Sequence, residues 1–126
     1  MGGPLARIFS VSYDSTLLRT RELLLNNLGH SVTSAEGIAQ AFELYNQNAG
    51  TFDLMVLGHS IPPQDKRAII RHCDRASRHC PVLSLTLINE PPVPEAAHSV
   101  DPTDTRMFLS AVQELLRNRA AHTQQA

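Results

Sequence analysis

The sequence predicts a parallel α/β sheet with helices on both faces, and three observations carry that prediction. Short apolar or β-branched segments alternate five times with segments that suit helices, with one gap after the fourth short segment. Such alternation puts parallel strands in one sheet covered on both sides. The chain has 126 residues, 42% of them hydrophobic, which suits one domain with a real core. It shows no internal repeat and no low-complexity block.

Taken in order, "ARIFSV", Ala6 to Val11, reads as the first strand. Asp14 or Ser15 caps the helix that follows. Leu17, Leu18, Leu24, Leu25 and Leu28 recur in it at helical spacing, and Gly29 ends it. "HSVTSA", His30 to Ala35, is a second strand, and Glu36 to Asn48 a second helix with Ile38, Ala41, Phe42 and Tyr45 on one face. Phe52 to Leu57 is a third, very apolar strand. Gln64 to His79 carries a third helix through Ile69, Ile70 and Cys73, stopped by Pro81. Pro81 to Ile88 is the fourth strand and Ala97 to Val100 a short fifth. Between them, Asn89 to Ala97 is too rich in proline for a good helix. The last helix has an apolar stripe of Met107, Phe108, Ala111, Val112, Leu115 and Leu116. Residues 1–119 form the predicted domain and 120–126 a polar, fraying tail.

Composition excludes several functions. The formal net charge is −1 and no block of Lys or Arg exceeds two, which argues against a nucleic-acid or membrane surface. The N-terminus has no charged and apolar signal pattern, and no apolar run approaches a membrane span. The two cysteines, Cys73 and Cys80, make no disulfide framework. A cytoplasmic domain is the expectation.

The stretch "FDLMVLGHSIPP", Phe52 to Pro63, poses the functional question. In a parallel sheet, chemistry usually sits at the carboxyl ends of strands, and Gly58, which has no side chain, occupies that place. This stretch, with "RIFSVSYD", "TLLRTRELLLNNLGHSVTSAEGIAQAFELYNQ", "CPVLSLTL" and "SVDPTDTRMFLSAVQELL", resembles the receiver domain of two-component response regulators. The resemblance runs from about Arg7 to Leu116 and implies a flavodoxin-like (βα)5 fold with strand order 2-1-3-4-5.

It also implies a chemistry: phosphoryl transfer from phosphohistidine to an aspartate, with acidic residues holding Mg²⁺, a balancing lysine, and a switch hydroxyl. By the resemblance the acceptor falls on Gly58, the acidic pair on Ser12 and Tyr13, the switch hydroxyl on Thr86, and the lysine on Asp101. Only Thr86 keeps the family's chemistry. Asp14 comes one residue too late for the acidic pair but could point a carboxylate near the pocket. The expected site therefore has no nucleophile, no clear metal ligand and no cation, and Mg²⁺ binding is expected to be lost. Asp101–Pro102 is a candidate cis peptide. Only fourteen residues separate Thr86 from Asp101, and Pro91, Pro92 and Pro94 lie among them. A fourth helix there is expected to be short or missing, which puts the family's usual dimer mode in doubt.

The resulting expectation is a pseudo-receiver, not an enzyme. It would be a phosphorylation-independent module of bacterial signalling that contacts a protein partner and needs no cofactor. Two other readings remain open: phosphorylation at Asp14, His59 or Ser60, and a small-molecule site in the vacated pocket. His59 and Ser60 read more simply as polar loop residues. In "HCDRASRHC", residues seven apart lie roughly 10 Å apart along a helix, too far for one metal ion. His72 and His79 are expected to be solvated and Cys73 packed in the core. Arg67, Arg71, Arg75 and Arg78 form a basic stripe that reads as a solvated face.

Overall fold

The computed structural model describes residues 5–48, 51–76, 80–87, 94, 96, 98–101 and 104–125. Five parallel strands form one sheet in the order β2-β1-β3-β4-β5. They are β1 (Arg7–Ser12), β2 (Ser31–Glu36), β3 (Leu54–Leu57), β4 (Val82–Leu85) and β5 (His98–Val100). Among the described residues four helices accompany them: α1 (Ser15–Asn27), α2 (Ile38–Gln47), α3 (Pro63–Ala76) and α4 (Thr105–Gln125). The expected order and alternation are both present.

Strand alternation divides the core in two. Phe9, Val11, Met55, Leu57 and Val82 face α2 and α3, and bury Ala41, Tyr45, Ile69, Ile70 and Cys73. Phe9 stacks on Phe52 with ring centroids 4.9 Å apart and tilts against Tyr45. Ile8, Leu54, Val56, Leu83, Leu85 and Val100 face the other way, onto Leu25 of α1 and Phe108, Ala111 and Val112 of α4. Period-two strands with two apolar faces are what a sheet between helix layers requires.

Several boundaries differ from the sequence reading, each for a local reason. β3 starts at Leu54 because the Asp53 carboxylate accepts from Arg7 N, while Asp53 N donates to Arg7 O. The second helix starts at Ile38, after Gly37 at φ 89°, a conformation glycine adopts without strain. Strand four stops at Leu85 rather than Ile88. The stripe of α4 is buried at Phe108, Ala111 and Val112, but Met107 is exposed. That helix also runs on through the expected polar tail to Gln125, where Ala120 and Ala121 are good helix formers.

Between β4 and β5 the described residues Thr86, Leu87, Pro94 and Ala96 are not helical. The rest of that segment, including Pro91 and Pro92, lies outside the described residues, as do Pro102 and His79. The candidate cis peptide therefore falls outside them. His72 is half-buried rather than solvated: its Nε2 lies 2.7 Å from Asn46 Oδ1, and its ring tilts over Phe42. Cys73 is buried in the core. Arg71 is exposed and Arg67 half-buried, while the side chains of Arg75 and Arg78 lie outside the described residues.

Candidate functional site

Gly58 follows β3 directly and is buried at the carboxyl edge of the sheet. Its amide donates to Val11 O at 2.9 Å, and its carbonyl accepts from Ile61 N, which turns the chain toward Pro62. Pro63 then opens α3, where its fixed φ and missing N–H suit a first helical turn. The third strand therefore delivers residue 58 to the end of β1, beside Ser12.

Hydroxyls join the two strand ends. Ser12 Oγ lies 3.3 Å from Ser60 Oγ, donates to Asp14 O and accepts from Asp14 N. Tyr13 N donates to Ser60 Oγ at 3.0 Å. Ser12, Tyr13 and Ser60 thus come together as one seam between the loops after β1 and β3. Asp14 acts on the pocket through its charge, which reaches Arg21 beside Gly58. Its Oδ1 accepts from Thr16 N and Leu17 N, so it caps α1.

Tyr13 also reaches α3. Its hydroxyl donates to Asp65 Oδ2 at 2.8 Å. Partial burial, then this hydrogen bond and the charge of Asp65, push its phenol above the ordinary value near 10. The folded phenol therefore keeps its proton at pH values where the unfolded one loses it. The stability this gives is complete below pH 10 and declines as pH rises above it. Tyr13→Phe should flatten that alkaline decline, as seen in unfolding curves collected at successive pH values. An unchanged slope would show that Tyr13 is not its source.

The largest departure from expectation is electrostatic. The site was expected to hold no cation, and two buried cationic side chains stand at this edge. Arg21 of α1 is only 5% exposed, and Lys66 of α3 only 3%. A Cβ built on Gly58 would lie 2.9 Å from Arg21 Nη1, 3.2 Å from Ser12 Oγ and 3.3 Å from Val11 O. The guanidinium therefore crowds the space an acceptor side chain would need. Burial pulls its pKa down, and the attraction of Asp14 opposes that shift. Lys66 Nζ donates to Ser84 Oγ and to Leu85 O, both at 2.9 Å. Ser84 pairs with Leu57, the residue before Gly58, and its hydroxyl lies 3.3 Å from Thr86 Oγ1. The switch position thus ends a chain from Lys66 through Ser84 to Thr86.

Both cations carry a sequence signal that hydrophobic counting passes over. Arg21 sits between Leu18 and Leu25 on the buried stripe of α1. Lys66 stands three, four and seven residues before Ile69, Ile70 and Cys73 on the stripe of α3. A basic residue at a core position of a helix must carry its charge to the end of the sheet or be paired. Asp101, where the family's lysine would fall, follows β5 and is exposed. His59 is half-buried with its Nδ1 unpartnered among the described residues.

Solved structures with this architecture are numerous. One is a response regulator receiver domain protein from Clostridium thermocellum, 20% identical over 95% of this chain and 98% of its own, with TM-score 0.78. Another is the receiver domain of the hybrid histidine kinase CckA, 21% identical over 87% of this chain and 98% of its own, with TM-score 0.74. A third is a response regulator receiver protein from Sinorhizobium medicae, 23% identical over 90% of this chain and 96% of its own, with TM-score 0.73.

The chain has the receiver-domain fold.

No family model and no curated protein matches the sequence. The fold brings Gly58, Ser12 and Thr86 to the carboxyl edge of the sheet. No helix among the described residues is long and apolar enough to cross a membrane.

Proposed function

We propose that this chain is a phosphorylation-independent, receiver-like module of two-component-type signalling that works through protein–protein contacts in the cytoplasm. The observation that carries the reading is the pairing of Gly58 with Arg21. The acceptor position has no nucleophile, and a buried guanidinium stands 2.9 Å from where its side chain would begin. Phosphoryl transfer to a carboxylate needs that carboxylate together with acidic metal ligands. On this reading Ser12 and Tyr13 stand where those ligands belong, Asp14 caps a helix, and Asp65 accepts from the Tyr13 hydroxyl. On this reading the module has no catalytic activity and no Mg²⁺, and it presents one fixed shape to a protein partner.

Incubation with Mg²⁺ and acetyl phosphate should leave the intact mass unchanged. Beryllofluoride should leave the amide spectrum unchanged around Gly58 and Thr86. Gly58→Asp alone should also gain no phosphoryl group, because Ser12, Tyr13 and Asp101 remain. A one-phosphoryl mass gain in the parent protein would overturn the proposal and point to Asp14, His59 or Ser60 as the acceptor. Capture of a phosphoryl group by Gly58→Asp would overturn the account of the site.

A further inference from the structure

We propose that the corner joining α1 to β2, at the amino edge of the sheet, is an acid-sensitive latch that opens when the His30 ring becomes doubly protonated. Three backbone hydrogen bonds close this corner: His30 N donates to Leu25 O, Leu5 N to Gly29 O and Ser31 N to Ala6 O. Gly29, at φ 94°, makes the turn between them in the left-handed region that glycine adopts freely. The His30 ring is held inside. The residue is 9% exposed, and its Nδ1 is buried with no hydrogen-bond partner among the described residues. A neutral imidazole leaves one ring nitrogen without a proton, so Nδ1 can stay bare. An imidazolium carries a proton on both nitrogens. Its Nδ1–H is then a buried donor on a charged group with no acceptor, which is costly. Opening the corner brings water to that donor.

The ionisable groups on the adjoining elements do not offset this cost. Arg7 of β1 lies over the Phe52 ring, and its amide donates to Asp53. Glu22 of α1 accepts from Ser34, and Arg21 of α1 stands beside Gly58 at the opposite edge of the sheet. Glu36 closes the far end of β2. Burial alone acts on His30 and pulls its pKa below the ordinary 6.5. The closed corner is therefore fully favoured above pH 6.5 and loses ground as pH falls below it. The loss levels off once the closed state itself takes the proton.

Hydrogen exchange of the full chain reads this opening amide by amide, from about pH 8 to about pH 5, the range in which histidine titrates. After correction for intrinsic rates, protection of the Leu5, His30 and Ser31 amides should fall as pH drops below 6.5. The fall should reach at most about tenfold per pH unit, the limit for one proton. At every pH this protection should stay below that of Met55 N, which donates to Pro81 O between β3 and β4, because the corner opens while the core stays closed. His30→Gln should flatten the acid fall. Equal protection at the corner and at Met55 means that the corner opens only with the whole domain, and overturns the latch. A fall that survives undiminished in His30→Gln overturns the part given to His30. If His30→Gln fails to fold, the ring titration of His30 in the parent protein decides. A midpoint below 6.5 supports the latch, and one at or above 6.5 overturns it. None of these measurements involves residue 58, so their failure leaves the function proposed above standing.

Discussion

Replacing Lys66 by Met should destabilise the protein by about 2–3 kcal/mol, the range for lost hydrogen bonds from a charged donor. Lys66 is 3% exposed and donates to Ser84 Oγ and Leu85 O. Met keeps most of the aliphatic stem, so packing against α3's neighbours is nearly preserved. The ammonium goes, and Leu85 O, at the end of a fully buried strand, loses a donor. Ser84 retains Thr86 as a neighbour and suffers less. For a domain of this size the loss corresponds to a midpoint lower by about 10 °C. A Lys66→Met protein as stable as its parent would show that this ammonium is not a structural tie. Ser84→Ala, which removes one acceptor only, should cost about 1 kcal/mol and separate the two bonds.

Arg21→Met should go the other way. Most buried substitutions destabilise, but this one removes a charge whose Nη1 has no partner among the described residues. Burial of an ion costs several kcal/mol unless geometry repays it, and apolar replacements of similar length are often neutral or stabilising by about 1–3 kcal/mol. The Met side chain would lie on the stripe between Leu18 and Leu25, where an apolar residue belongs. The expectation is a rise of that size in chemical denaturation, measured in chloride buffer free of carboxylates. The attraction between Arg21 and Asp14 is lost as well, and Asp14 is exposed, so that term is small. A fall of more than about 1 kcal/mol would show that the guanidinium is well solvated or paired in solution.

The sheet was legible in the sequence because both its signals are local. Strands such as Leu54–Leu57 are short and wholly apolar, and helices such as α3 repeat their apolar residues every three or four positions. Boundaries were less legible because they depend on partners far along the chain, as when Asp53 closes back on Arg7 and delays β3. At the site, the resemblance could be read residue by residue: it puts Gly58, Ser12 and Tyr13 where carboxylates would stand. The replacements could not. Arg21 lies 37 positions before Gly58, and Ser84 lies 18 after Lys66. Spacing along the chain gives no hint that either pair meets. Counting apolar residues along α1 hid Arg21, because the leucines around it already made a helix. His72 was misjudged for a related reason: its partners, Asn46 and Phe42, belong to another helix.

The seam between Ser12 and Ser60 has a further consequence for when this fold can change. Serine hydroxyls do not titrate in the physiological range, and they bind each other without a metal. A joint built from carboxylates around a cation responds to acid, to chelators and to the supply of that cation. One built from alcohols and backbone amides responds to none of these. On the function proposed above, the covalent sequence sets this edge of the sheet, and the amount of the module in the cell becomes what its partner reads.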